Sequence, residues 1–197
     1  IYRPEPEKIP EIKDYVNAVL EQNQVTPQNV QCFYETGLVL VQDGSRFYYS
    51  DNSSVYTDTN IAVVNLMTLD DFNRLAGTGY TLDNAEDVYI YAYSGSIDST
   101  DITIEDMTFH IKGFTEAVDI ADGPSKNLSD TFYMIVKDMD AINTIMDALF
   151  AEYMYSPVPV LFYMFDVDGD SQLQLDVQKI LLDAVFEDGN APVDIQG

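Results

Sequence analysis

The stretch Ile61 to Gly77 constrains the chain most. Ile61-Ala62-Val63-Val64-Asn65-Leu66 is a short apolar run suited to a strand, and only Met67 separates it from Thr68-Leu69-Asp70-Asp71. A threonine with an acid three residues on can satisfy orphan backbone donors at a helix start, so Thr68 is expected as an N-cap. Met67 and Phe72 stand at the two positions of a hydrophobic staple. Leu69, Phe72, Leu75 and Ala76 form one apolar stripe, and Gly77 supplies the stop. A helix of about two turns is too short to persist alone. The segment therefore demands tertiary packing on both its strand and its helix.

The rest of the pattern supplies candidates for that packing. Ile12, Tyr15, Val16, Val19 and Leu20 recur at helical spacing, giving a first helix over about 10–22 that ends before Thr26-Pro27. Strands are expected around Val30–Tyr34, Leu38–Val41 and Arg46–Tyr49, with Asp43-Gly44 as a hairpin turn. Val88–Tyr93, Ile102–Ile104 and Met107–Lys112 follow, the last two forming a hairpin around Glu105-Asp106. Residues 117–130 read as a loop. Thr131–Lys137 is a strand, and residues 142–153 are a helix started by Asp138 or Asp140. Val158–Phe165 is continuously apolar, as a strand covered on both faces is. Leu173, Val177, Ile180, Leu181 and Ala184 pattern a last helix. The sum is an α+β fold: an N-terminal helix, a β-meander or hairpin middle, and a C-terminal strand-helix-strand-helix unit. One domain over 1–197 is expected, with a proline-rich stem at 1–10 and lobes over 11–130 and 131–190.

Charge narrows the partners. Nine Lys+Arg against 34 Asp+Glu leave a net charge of −25, while 46% of the residues are hydrophobic and 12% aromatic. An acidic disordered tail would be poor in aromatics, so the chain should fold. Too few cations are available to neutralise a phosphate backbone, which excludes nucleic acid as the expected partner. Cationic partners fit the field. The longest apolar run, Pro157 to Phe165, is shorter than the roughly 20 residues of a spanning helix. Ile1 in the place of Met fits an excised piece of a longer chain.

Chemistry-bearing motifs are sparse. Asp166, Asp168 and Asp170 alternate like the ligands of a calcium loop, but Ser171 and Val177 stand where that loop wants Gly and Glu. The same acids can cap the following helix. His110 is the lone histidine, on the polar side of its strand with Lys112. Cys32 alternates with Val30 and Tyr34 and should face a core, without the electropositive setting a thiol nucleophile needs. Phosphate loops, nucleophile elbows and zinc signatures are absent from the sequence, and no cofactor is expected. Tyr89, Tyr91 and Tyr93 share one face of a strand. They are either packed aromatics or a rigid recognition surface, and so are the candidate ligand-binding residues.

Ile61 to Gly77 also resembles a stretch in the large extracellular domain of FtsX-like permeases. The likeness is strongest to permeases of bacitracin- and lantibiotic-type antimicrobial-peptide ABC transporters of Gram-positive bacteria. There a short strand runs into Met-Thr-Leu, then an acid, an aromatic, Asn, Leu and Gly; here Phe72 stands where tyrosine is common. Leu82 and Glu86-Asp87-Val88-Tyr89-Ile90-Tyr91 resemble the next strand with its leading acid. Phe165-Asp166-Val167-Asp168-Gly169-Asp170 resembles the closing unit. The loop at 50–60 and the excess of tyrosine have no counterpart in the family.

The resemblance implies a non-catalytic ectodomain on the extracellular face of the cytoplasmic membrane, tethered to the permease's transmembrane helices. It implies a cytoplasmic ATP-binding subunit, a membrane sensor histidine kinase as partner, and a cationic peptide as ligand. It carries over no binding residues. Two alternatives stand beside it: a calcium-dependent surface or adhesion module using Asp166, Asp168 and Asp170, and a secreted acid hydrolase with a carboxylate pair.

Overall fold

The computed structural model describes residues 9–43, 46–50, 61–91, 99–115, 131–153 and 158–165, together with Gln172, Leu175, Asp176 and Lys179. The fold is α+β, with a mixed sheet and helices α1 (Ile9–Gln22), α2 (Leu69–Ala76) and α3 (Met139–Tyr153). The strands are β1 (Pro27–Asp43), β2 (Arg46–Ser50), β3 (Ile61–Thr68), β4 (Asp87–Tyr91), β5 (Asp101–Ile104), β6 (Met107–Phe114), β7 (Thr131–Val136) and β8 (Val158–Phe165). The four isolated described residues near the C-terminus are helical, and most of the last expected helix lies outside the described residues.

Two compact units divide the chain: Ile1–Val30 with Leu161–Gly197, and Gln31–Val160. This division differs from the lobes expected to part at 130/131. The reason is β7, which pairs parallel to β3 and antiparallel to β4 and so belongs with the middle of the chain.

In the first unit, α1 buries Ile9, Val16 and Leu20 and leaves Tyr15 exposed. Its end is a Schellman motif built on a non-glycine residue. Gln24 takes φ 58°, its N–H donates to Glu21 O, and the Val25 N–H donates to Leu20 O. Val25 and Leu20 are both buried, as the apolar contact of that motif requires.

In the second unit the strand order is β2-β5-β6-β4-β7-β3-β1, and β2 also pairs with β1, so the hydrogen bonding closes into a ring. Antiparallel and parallel neighbours alternate from β1–β2 round to β3–β1. The expected hairpins are β1–β2 and β5–β6; the other neighbours are joined through longer paths. At the β5–β6 turn Glu105 takes φ 53°, the positive φ that a tight two-residue hairpin demands. β1 runs unbroken through Gly37, with a bulge between Glu35 and Leu38 against β3.

The strands carry α2 on one face and α3 on the other. Met67, Tyr91, Tyr133, Ile135 and Phe33 pack with Leu69, Phe72 and Leu82 in one cluster. The alternate residues Val64, Leu66, Met134, Val136 and Tyr34 are also buried, as is the α3 stripe Ala141, Ile142, Ile145, Met146 and Leu149. Each large aliphatic or aromatic side chain buried this way contributes about 1.5–3 kcal/mol.

Candidate functional site

The joint at 61–77 folds as its residues dictate. Thr68 is the N-cap of α2, in extended conformation, and its Oγ1 accepts from the Asp71 N–H at 3.2 Å. The Asp71 carboxylate in turn accepts from the Thr68 hydroxyl at 2.9 Å. Gly77 ends the helix at φ 64°, and its N–H and that of Thr78 both donate to Asn73 O. The Asn73 side chain then ties down the following loop: Nδ2 donates to Tyr80 O, and Oδ1 accepts from the Tyr80 N–H and the Thr78 hydroxyl.

That loop lays Tyr80 on a run of aromatic rings. Tyr89 and Tyr80 lie 5.1 Å apart, Tyr80 and Phe72 6.0 Å, Phe72 and Tyr91 5.3 Å, Tyr91 and Tyr133 5.8 Å, and Tyr133 and Phe33 5.4 Å. These are ordinary spacings for tilted and edge-to-face pairs. Tyr91 is 1% exposed and lies in the core, whereas Tyr89 is half-buried and its hydroxyl reaches Thr81 O at 3.4 Å. Tyr93 lies outside the described residues. Tyr91 belongs to the cluster under α2, and Tyr89 packs against that cluster.

The parallel pairing of β3 and β7, with Thr68 opposite Val136, brings the starts of α2 and α3 to one pole of this unit. Asp138 caps α3, accepting from the Ala141 N–H at 3.0 Å. β4 runs antiparallel to β7, so residues 83–86 come to the same pole, where the Lys137 ammonium donates to Asp83 O at 2.8 Å. Asp70, Asp71, Asp83, Glu86, Asp138 and Asp140 thus gather at one end, all exposed except the half-buried Asp71. Arg74 lies 3.9 Å from Asp70 and 3.7 Å from Asp71. The helix starts stabilise the acids nearest them, and the remaining field favours a cation.

A second polar group lies on the outward face of β4–β6–β5. His110 Nδ1 is 2.6 Å from Asp101 Oδ1, directly across the hairpin. The Lys112 ammonium is 3.2 Å from Asp87, whose carboxylate also accepts from Asn84 at 2.9 Å. Burial alone would raise the Asp87 carboxyl. The hydrogen bonds from Asn84 and Lys112 and the charges of Lys112 and His110 outweigh it and hold the group below the ordinary carboxylate range. Cys32 is buried beside Tyr34, and burial first, then the Cys32 and Asp71 charges, push the Tyr34 hydroxyl far above its ordinary value. The Tyr34 hydroxyl donates to Met139 Sδ at 3.3 Å.

A third group escapes simple patterning. Asn65 is 1% exposed, and its Oδ1 has no hydrogen-bond partner. It stands opposite the half-buried Glu35 on β1 and beside Tyr133 on β7. Both polar residues share the sheet face that carries Phe33 and Met67, since side chains alternate along a strand.

Among the described residues no group of three or more His, Cys, Asp or Glu is placed to hold a metal ion. Asp166, Asp168 and Asp170 lie outside the described residues. No helix among the described residues is long and apolar enough to cross a membrane. Neither a family model, nor a curated protein, nor a solved structure matches the chain.

Proposed function

We propose that the chain is the non-catalytic extracellular domain of an FtsX-like permease, and that it binds cationic antimicrobial peptides and passes the signal for resistance to the membrane. The observation that carries the ligand class is the acidic pole, where six carboxylates converge through strand pairing from separate stretches of sequence. Such a field raises the arrival rate of a basic peptide and orients it. The family assignment draws its support from the Ile61–Gly77 joint, whose resemblance to the permease ectodomains falls on the capped strand-to-helix turn that builds this pole. In this setting the transmembrane helices, a cytoplasmic ATP-binding subunit and a membrane sensor histidine kinase are the partners, and the extracellular face of the cytoplasmic membrane is the location.

Calorimetric titration of the chain with bacitracin and with a lysine-rich lantibiotic tests the reading. Binding should weaken steeply as salt rises, because screening shortens the reach of exposed charges to about 8–10 Å at physiological strength. Charge reversal of Asp70, Asp83 and Asp140 to Lys should remove it. Absence of binding, or binding indifferent to salt and to those substitutions, would discard the proposal.

A further inference from the structure

We propose that Glu35 and Asn65, opposed across β1 and β3 at the β1 bulge, form a seat for an organic cation bearing N–H donors, an alkylammonium or alkylguanidinium group. Asn65 Oδ1 is an acceptor sealed from solvent with no donor facing it, and native proteins meet such a group with a water, an ion or a ligand. The surroundings select among these. Glu35 adds a carboxylate directly opposite, and the ion pairs among the described residues, which involve Asp70, Asp71, Asp87 and Asp101, leave it without a cation.

Aromatic residues flank the pair on the same sheet face. Tyr133 is the cross-strand neighbour of Asn65 on β7, and its ring meets that of Phe33 edge-on at 5.4 Å. Two acceptor residues opposed on one sheet face suit a cation with hydrogens to donate, and suit an anion or a neutral acceptor poorly. The bulge between Glu35 and Leu38 re-aims the strand here, as bulges near binding sites do. The Thr36 hydroxyl within it is already engaged, donating to Val64 O at 2.6 Å. Glu35, half-buried, is the member of the pair that reaches solvent.

The same chemistry is offered by the lysine or arginine side chain of a peptide and by a free small amine. Assigning the peptide as source rests on the function proposed above; the seat itself does not.

The test is titration of the full 197-residue chain with n-butylammonium and n-butylguanidinium, with n-pentanol as the uncharged control, followed by NMR of the Asn65 side-chain amide. Saturable binding of the cations that shifts this amide is expected, with no response to pentanol. Glu35→Gln should weaken binding about tenfold or more, the loss of one charge-assisted hydrogen bond. Asn65→Leu should abolish it. Should the leucine variant not fold, the Glu35→Gln comparison and the wild-type amide shift still decide.

No saturable binding, equal binding by Glu35→Gln, or a water at Oδ1 that excess amine does not displace would each overturn the seat. A lantibiotic that binds wild type and Glu35→Gln equally well overturns the seat and leaves the acidic pole standing. Butylammonium binding without peptide binding supports the seat and removes the peptide as its source.

Discussion

Asn73 grips Tyr80 by both ends of the peptide backbone: its amide nitrogen donates to the Tyr80 carbonyl and its amide oxygen accepts from the Tyr80 N–H, each at 2.9 Å. This one side chain fixes the loop that seats the Tyr80 ring between Phe72 and Tyr89. Asn73→Ala should cost about 1–3 kcal/mol in urea denaturation. It should also speed amide exchange at Tyr80 while exchange in β7 is unchanged. Unaltered protection at Tyr80 would show that packing alone holds the loop.

The two ends of α2 make separate contributions. Thr68→Ala removes the cap and should cost about 1 kcal/mol. Gly77→Ala has open space for its Cβ, so its penalty is conformational, about 1–2 kcal/mol for a side chain held in the left-handed region. Chemical denaturation of both variants and of the double mutant measures this, and a neutral Gly77→Ala would contradict the φ of 64°.

Tyr91 and Tyr89 share a strand face but not a role. Tyr91→Ala should destabilise by about 3–5 kcal/mol, the range for emptying a buried aromatic site, and Tyr89→Ala by clearly less. Thermal unfolding of the pair distinguishes them. Equal losses would mean that Tyr89 is as deeply packed as Tyr91.

Asp87 predicts an acid-dependent term. Its folded carboxyl titrates below the ordinary value, so its contribution is fully present above about pH 4 and is lost as pH falls through the lower, folded value. The stability difference between wild type and Asp87→Asn should therefore be flat from neutral pH down to about pH 4 and shrink below it. Lys112→Met, which removes one hydrogen bond and the nearest cation and leaves the Asn84 hydrogen bond and the His110 charge in place against burial, should move that window upward. A difference that does not depend on pH would refute the assignment.

How far the residues alone foretold these arrangements depended on the range of the interaction. The cap at Thr68, the stop at Gly77 and the turn at Glu105-Asp106 are local, and backbone donors and turn geometry spell them out. The two-residue turn even fixes Asp101 opposite His110, so the partner of the lone histidine was legible by counting outward from it. Asn65 was a visible exception in an apolar run, yet nothing local names Glu35 as its neighbour. That pairing arises from a register disturbed by the bulge at Glu35–Leu38. The convergence of Asp70, Asp83 and Asp138 was likewise hidden, because it follows from β7 slipping between β3 and β4, a choice of non-neighbouring partners that no periodicity encodes.

Closure of the ring has a kinetic consequence. Hairpins such as β5–β6 can form from neighbouring residues, but Val63 must find Thr131 and Phe47 must find Ile102 before the circle is complete. Pairings so distant along the chain make for slow folding, on the order of milliseconds to seconds. The β2–β5 junction, whose pairing register among the described residues is Phe47 with Ile102, is the seam of the circle. It should be last to zip and first to part, and a parted seam bares two strand edges that a neighbouring chain could annex.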